Sequence, residues 1–216
     1  MTAKRPDVPE QIRDGRVIAI GRGLDPATVL TVGEALLAGG VRAFEVTLNS
    51  PGAVEAIALL AKHFPAKDLL IGAGTVLSLE AAASAATAGG RFLVMPHTDL
   101  EIIAWAAERG IPTFPGAFTP TEIVGAWRAG ASAVKLFPAS AVGPAFIREL
   151  RGPFPEIPLI PTGGVTLEST PAYIDAGAMA IGVGSWLTGQ DGSAGIRHRA
   201  RLLIEATGPR AVVARA

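Results

Sequence analysis

The chain repeats one structural unit eight times: a short apolar segment of strand length followed by a segment with helical periodicity. The apolar segments begin 21 to 27 residues apart along the 216-residue sequence. Strands and helices that alternate through short loops are typical of parallel β/α architecture. The segments predicted as strands are 16–21, 43–48, 69–72, 91–96, 112–115, 133–138, 158–161 and 180–183.

Eight units in a chain of this length predict an α/β fold, a single small (β/α)8 TIM barrel. A doubly wound open sheet is the alternative, but it would rarely need eight units spaced so evenly. No linker or low-complexity segment divides the sequence, so we expect residues 1–216 to form one domain. Residues 1–14 are expected to be an N-terminal helical arm at the bottom of the barrel, and residues 193–216 the last helix and a tail.

The composition excludes several classes of protein. Nineteen Lys and Arg residues balance nineteen Asp and Glu residues, which is not the charge of a nucleic-acid or membrane-surface binder. The absence of cysteine excludes disulfides, thiolate metal sites and a catalytic thiol. The polar start does not resemble a signal peptide, and no apolar stretch approaches the ~20 residues of a membrane span. We therefore expect a cytoplasmic protein that binds neither nucleic acid nor membrane.

One lysine stands inside a predicted strand. The chain has 15 arginines and four lysines, and only Lys135 interrupts an apolar strand segment. Because side chains alternate across a strand, Val134 and Leu136 would face the helices and Lys135 the barrel interior. Burial among apolar groups lowers the pKa of an amine, and a neutral amine can attack a carbonyl carbon to form a Schiff base. The alternative is a buried lysine that pairs with a carboxylate for structural reasons.

One carboxylate is placed in the same way. Glu45 lies in the middle of the second predicted strand, and the same alternation places Glu45, Thr47 and Asn49 on the interior side. An interior carboxylate beside an interior amine can move protons during carbonyl chemistry. The alternative is a structural ion pair between Glu45 and Lys135.

Two glycine-rich segments end the seventh and eighth predicted strands. Loops at these two positions commonly form the phosphate site of a barrel, where backbone N–H groups converge beside a short helix. Arg22 follows the first strand, which lies next to the eighth in a closed barrel, and could add a positive charge for a phosphate or carboxylate. The alternative is that the glycines only connect strands to loops. The residues concerned are Gly163, Gly164, Gly184 and Ser185.

Two further residues follow predicted strands. Thr75 ends a Gly-Ala-Gly-Thr segment, where its hydroxyl could bind a carboxylate, and the alternative is an ST-turn or a cap of the next helix. His97 lies at the end of the fourth strand and could touch a ligand. The three histidines are scattered without metal-ligand spacing, so we expect no metal site.

Taken together, these motifs resemble the KDPG/KDPGal aldolases, class I aldolases that cleave 2-keto-3-deoxy-6-phospho sugar acids to pyruvate and glyceraldehyde 3-phosphate. The resemblance extends from residue 17 to residue 187. It is carried by EVTLNSP (45–51), GAGTV (72–76), AVKLFPAS (133–140), PTGGV (161–165) and GVGSWL (182–187).

The resemblance implies roles for individual residues. Lys135 would form the Schiff base, and Glu45 would be the general acid/base. Thr75 would bind the pyruvyl carboxylate in a pocket shaped by Pro96 and Phe137. Gly163, Gly164, Gly184 and Ser185 would hold the phosphate. The family is typically homotrimeric and uses neither metal nor cofactor.

Two branches of the family differ in the configuration at C4 of the substrate. Asn49 and Arg22 resemble the galactonate branch, whereas Thr162 resembles the gluconate branch. A hydroxyl at position 162 could distinguish the two configurations at C4 of the substrate. We expect a preference for the galactonate substrate, with the gluconate substrate as the alternative. Two rival hypotheses remain: a phosphate-binding barrel isomerase or epimerase with a carboxylate base, and a catalytically inactive ligand sensor.

Overall fold

Strands and helices alternate along the whole part of the chain that the computed structural model describes, residues 4–189 and 192–208. Nine strand segments lie within these ranges: β1 (Val17–Gly21), β2 (Ala43–Thr47), β3 (Leu70–Gly74), β4 (Leu93–Val94), β5 (Thr113–Phe114), β6 (Gly116–Ala117), β7 (Val134–Leu136), β8 (Leu159–Pro161) and β9 (Ile181–Val183). The α-helices in the same ranges are α1 (Glu10–Arg13), α2 (Val29–Ala38), α3 (Ala53–His63), α4 (Leu79–Thr87), α5 (Leu100–Glu108), α6 (Pro120–Arg128), α7 (Gly143–Arg151), α8 (Thr170–Asp175), α9 (Ser185–Thr188) and α10 (Gly192–Ala206).

The strands are parallel and close into a barrel. Six of them pair in the order β5–β4–β3–β2–β1–β9, and β6, β7 and β8 form a second parallel group. The fifth predicted strand, 112–115, contains β5, and β6 lies just beyond its predicted end, separated from β5 by Pro115, which has no N–H to donate. A bridge between Thr162 and Gly182 joins β8 to β9. The eight predicted strands therefore form the predicted (β/α)8 barrel.

Capping side chains fix where three of the helices begin. The Ser78 side chain accepts a hydrogen bond from the Ala81 N–H at the start of α4. Asp99 does the same for the first turn of α5. Thr119 and Glu122 form a reciprocal capping box at the start of α6. These caps satisfy N–H groups that a helix start leaves without partners, and they keep the loops above β3, β4 and β6 short.

Alternation along the strands separates two apolar cores. Phe44, Val46, Val134 and Leu136 face outward and pack under the helices. Inward-facing side chains fill the lower part of the barrel, and the buried aromatic rings of Phe92 and Phe114 lie there, with centroids 5.7 Å apart. The other members of this inner core are Ile12, Ile18, Ala43, Leu70, Val94, Ala133, Ile160 and Ala180. In the described part of the chain, the bottom of the barrel is filled and its top is open to a ligand.

The two ends of the chain differ from the sequence prediction in extent. Within residues 4–14, the described part of the predicted N-terminal arm, one turn of helix forms, α1, and Ile12 from this turn covers the bottom of the barrel. The Arg5 guanidinium stacks 3.3 Å above the ring of Trp127. The last helix is α10, whereas residues 1–3 of the arm and 209–216 of the tail lie outside the described residues. Among the described residues, no helix is both long and apolar enough to cross a bilayer.

Candidate active site

A cavity of about 400 Å³ opens at the carboxyl ends of the strands. In a (β/α)8 barrel this is the face at which chemistry takes place. Eleven of the twelve site residues proposed from the sequence line the cavity. They are Arg22, Glu45, Thr75, Pro96, Lys135, Phe137, Thr162, Gly163, Gly164, Gly184 and Ser185.

Lys135 lies on the inner side of β7, as the alternation of its strand predicts. It is only 7% exposed, and its Nζ lies 4.8 Å from the centre of the Phe137 ring. Burial lowers the pKa of the Lys135 amine, and the nearby Glu45 carboxylate partly opposes this change. The positive charge of Arg22 lowers the same pKa further. A larger fraction of the amine is therefore neutral, and able to act as a nucleophile, at neutral pH.

Glu45 points into the same cavity from β2. It is 2% exposed, and burial raises the pKa of its carboxyl group, whereas the charges of Lys135 and Arg22 act in the opposite direction. In the described part of the chain, no hydrogen bond or salt bridge joins Glu45 to Lys135. The two groups interact through space without a direct contact. The ion-pair alternative is therefore not what the structure shows, and both groups are left free to contact a ligand.

Thr75 occupies a strained backbone position at the end of β3. Its φ angle is +55°, a left-handed conformation that is unfavourable for a β-branched residue. Its side chain lines the cavity. The cap of α4 is Ser78, so the alternative interpretation of Thr75 as a helix cap is wrong.

Two glycine-rich loops form one wall of the cavity. Gly163 and Gly164 have φ angles of +88° and +76°, which glycine adopts at little cost. A Cβ atom at position 163 would be 3.1 Å from the Phe137 ring, so the loop packs closely on the strand that carries the lysine. Gly184 is followed by the short helix α9, which begins at Ser185. A short helix therefore lies beside the glycine-rich loops.

Asn49 and His97 do not line the cavity. Asn49 was expected on the interior line of β2, but the strand ends at Thr47 and the chain turns away after it. The Asn49 Oδ1 atom instead accepts a long hydrogen bond, 3.5 Å, from Arg22 Nη1. His97 is half exposed, and its Nε2 atom lies 3.9 Å from Asp99 Oδ2.

Several other residues of the cavity wall were not predicted from the sequence as site residues. Trp186 and Thr166 directly follow the segments proposed for phosphate binding, so their position along the chain was the available signal. The others are Ile20, Val165, Gly182 and Val183. Within the described residues, no group of three or more His, Asp and Glu side chains could hold a metal ion.

A (β/α)8 barrel with a buried amine, a buried carboxylate and glycine-rich loops around one cavity defines a class of barrel enzymes that act on carbonyl compounds. The chain belongs to the KDPG and KHG aldolase family, whose family model matches residues 8–195.

Curated relatives carry the names of both substrate branches. The chain is 41% identical to the probable 2-dehydro-3-deoxy-6-phosphogalactonate aldolase of Rhizobium meliloti (strain 1021), over 85% of this chain and 87% of the relative. It is 38% identical to the 2-dehydro-3-deoxy-phosphogluconate aldolase of Pseudomonas aeruginosa, over 81% of this chain and 79% of that relative. The protein is therefore an aldolase, a carbon–carbon lyase, and the similarity to the two branches is nearly equal.

A solved structure of the family has the same fold. The KDPG aldolase of Legionella pneumophila, described with pyruvate captured at low pH as a covalent carbinolamine intermediate, superposes with a TM-score of 0.77. It is 31% identical, and the alignment covers 91% of this chain and 94% of that one.

Proposed function

We propose that the protein is a class I aldolase that reversibly cleaves a 2-keto-3-deoxy-6-phospho sugar acid to pyruvate and D-glyceraldehyde 3-phosphate. The observation that carries this proposal is Lys135, a buried amine with a lowered pKa beside a carboxylate at the open end of the barrel. The covalent carbinolamine of pyruvate in the Legionella pneumophila relative supports the same chemistry.

The proposed reaction begins at the substrate ketone. The neutral Lys135 amine attacks C2 to give a carbinolamine, and loss of water leaves a protonated imine. Glu45, directly or through a water molecule, takes the proton of the C4 hydroxyl. The C3–C4 bond then breaks, the aldehyde departs, and the electron pair of the bond moves toward the iminium nitrogen to form an enamine. Protonation at C3 and hydrolysis release pyruvate and restore the amine.

The remaining residues of the cavity bind the substrate in this proposal. Thr75 binds the carboxylate next to the ketone, and Pro96 and Phe137 bound that end of the pocket. The phosphate binds at the glycine-rich loops, so binding energy far from the reacting carbons holds C3 and C4 in place. The residues at the phosphate end are Gly163, Gly164, Gly184 and Ser185, and Arg22 supplies a positive charge.

We propose a preference for 2-dehydro-3-deoxy-6-phosphogalactonate. The LNSP segment at 48–51 and Arg22 resemble the galactonate branch. The second candidate substrate is 2-dehydro-3-deoxy-6-phosphogluconate, which Thr162 favours because its side chain lines the cavity and offers a hydroxyl. Relative values of kcat/KM for the two epimers measure the preference directly.

Borohydride reduction in the presence of pyruvate tests the mechanism. A Schiff-base aldolase gains a stable pyruvyl adduct, and peptide mapping should find it on Lys135. Lys135→Met should form no adduct and cleave no substrate, whereas the exposed control Lys62→Met should behave as wild type. An isomerase or an inactive sensor would form no adduct in any variant, and near-normal cleavage by Lys135→Met would overturn the proposal.

We also propose that the enzyme is a homotrimer. Apolar side chains are exposed above β3, β4 and β6: Leu77 at 56% and Phe118 at 39% in loops, and Leu100 at 58% as the first residue of α5. Exposed apolar side chains that lie close together often mark a protein interface. Light scattering of wild type and of Leu100→Asp tests this: a trimer that dissociates in the variant supports it, and a wild-type monomer contradicts it.

A further inference from the structure

Two hydroxyl groups at the end of β2 hold the backbone on both sides of Arg22. The Gly23 N–H donates to Ser50 Oγ over 2.8 Å. The Thr47 Oγ1 atom lies 2.9 Å from Ser50 Oγ and 3.2 Å from the Gly21 carbonyl oxygen. The Gly21 carbonyl belongs to the peptide bond before Arg22, and the Gly23 N–H belongs to the one after it. Both peptide bonds that flank the arginine are thus tied to the same pair of side chains.

The chemistry of the groups fixes the direction of every hydrogen bond in this chain. A carbonyl oxygen only accepts, so the Thr47 hydroxyl must donate to Gly21. A backbone N–H only donates, so Ser50 Oγ must accept from Gly23. The Ser50 hydroxyl is then left to donate to Thr47 Oγ1. Each hydroxyl gives one hydrogen bond and accepts one, and both residues are buried, with 0% of Thr47 and 7% of Ser50 exposed.

Few other contacts determine where Arg22 lies. Its side chain is exposed, and in the described part of the chain its guanidinium makes a single long hydrogen bond, to Asn49. Gly23 has a φ angle of +64°, and a Cβ atom there would meet nothing within 4 Å. No side chain therefore packs against the loop at this position. Arg22 nevertheless lines the cavity, and its charge lowers the pKa values of both Glu45 and Lys135.

We propose that Ser50 and Thr47 are positioning residues: their hydroxyl pair holds the backbone around Arg22 so that its guanidinium faces the cavity and binds an acid group of the substrate. This inference rests on the proposed function, in which Arg22 is a ligand-binding cation. Neither hydroxyl touches the cavity itself, so both act only through the loop that they hold. The acid group is either the phosphate or the carboxylate, and the kinetic test separates them.

Removal of either hydroxyl should weaken substrate binding. We expect Ser50→Ala and Thr47→Val each to raise KM for the phosphorylated sugar acid about tenfold, as the loss of one hydrogen bond of ordinary strength would, with a smaller change in kcat. The double variant should be no worse than either single variant, because the two hydroxyls form one chain. Thr47→Ser keeps the hydroxyl and should retain wild-type KM.

A double-mutant cycle distinguishes the positioning of Arg22 from a loss of substrate binding that does not depend on Arg22. In an Arg22→Gln background, Ser50→Ala should cause no further rise in KM, since there is no guanidinium left to position. If KM rises by the same factor with and without Arg22, the inference is wrong. If the KM for pyruvate in the condensation direction also rises, Arg22 binds the carboxylate. If only the KM for the phosphorylated sugar acid rises, Arg22 binds the phosphate.

The control variant is Thr207→Val at the opposite end of the barrel. The Thr207 hydroxyl is also buried and donates to a backbone carbonyl, that of Ile204, over 2.8 Å. Its loss should leave KM unchanged.

Hydrogen exchange of the Gly23 amide, followed by NMR, tests the hydroxyl chain apart from activity. The amide should be protected in wild type and lose protection in Ser50→Ala; retained protection overturns the inference. If wild type cleaves no sugar acid and traps no pyruvate, the proposed function fails, and Arg22 then has no acid group of this substrate to bind. A wild type that cleaves normally, with an unaltered KM in Ser50→Ala, overturns the positioning inference alone.

Discussion

The carboxyl group of Glu45 lies directly against the backbone of Gly74 on the neighbouring strand. A methyl group at position 74 would be 2.5 Å from Glu45 Oε1 and 2.9 Å from Cδ. Both distances are too short for non-bonded atoms, and the neighbour that would have to move is the carboxylate. The glycine at the end of β3 therefore leaves the space in which this carboxylate sits.

Gly74→Ala should displace the Glu45 carboxylate and reduce kcat by at least tenfold. The lysine is untouched, so trapping of pyruvate by borohydride should remain. Gly125→Ala is the matched control, because a Cβ atom at this position on α6 meets nothing within 4 Å. Alanine in a helix is also more favourable than glycine by up to about 1 kcal/mol. That variant should be as active as wild type and at least as stable. Normal turnover in Gly74→Ala would show that the exact place of the carboxylate does not matter.

Glu45→Gln should reduce turnover by the ~10²–10⁴-fold that is typical of a lost general base. It should also change how imine formation depends on pH. The Glu45 carboxylate raises the pKa of Lys135, so its removal should lower that pKa and move the onset of pyruvate trapping to lower pH. The trapping rate as a function of pH measures this shift. An onset that stays in place, or turnover that stays normal, would leave Glu45 with a structural role only.

Lys135→Met should change how stability depends on pH. Burial makes the pKa of Lys135 lower in the folded protein than its ordinary value of 10.5, so folding disfavours the charged amine. In wild type, burial of the charged amine therefore reduces the free energy of unfolding. The reduction is fully present below the lowered pKa and disappears as the pH rises toward 10.5. The advantage of the Met variant in free energy of unfolding should therefore shrink over that interval. Urea unfolding at several pH values tests this, and a constant difference would show that the amine titrates as in the unfolded chain.

Thr75 allows backbone strain and ligand binding to be separated. Thr75→Ala and Thr75→Gly both remove the hydroxyl, so both should raise KM for pyruvate in the condensation direction. Only glycine relieves the left-handed backbone, which costs about 1–2 kcal/mol for a residue with a Cβ atom. Thr75→Gly should thus be the more stable of the two by about 1 kcal/mol. Equal melting temperatures would mean that the strain is taken up elsewhere.

Thr162→Val should alter the preference between the two substrate epimers. Thr162 lines the cavity, and the one hydrogen bond of its hydroxyl within the described residues is a long one, 3.4 Å, to the Ile160 carbonyl. It is therefore available to a C4 hydroxyl in one configuration. Its loss should reduce kcat/KM for the gluconate epimer more than for the galactonate epimer, by about tenfold for a hydrogen bond of ~1.4 kcal/mol. If the ratio of the kcat/KM values for the two epimers does not change, Thr162 does not distinguish the configurations at C4.

The sequence by itself determined the barrel and the inward direction of the reactive side chains. Apolar segments at even spacing set the number of strands, and the two-residue period of a strand placed Glu45 and Lys135 on its inner side. Both properties are local, because they depend on hydrophobic periodicity within one segment. The meeting of the two side chains followed from the fold, since all strands of a barrel end at the same face.

The tertiary structure alone decided how the neighbours of these side chains are arranged. Strand alternation predicts that Asn49 lies inside with Thr47, but β2 ends at Thr47, and alternation no longer holds once the chain turns. The space that Gly74 leaves for Glu45 depends on how two strands pair, and the hydroxyl chain around Arg22 joins loops that are 27 residues apart. Periodicity shows which way a side chain points, whereas distances between separate segments are fixed only when the barrel closes and its register is set.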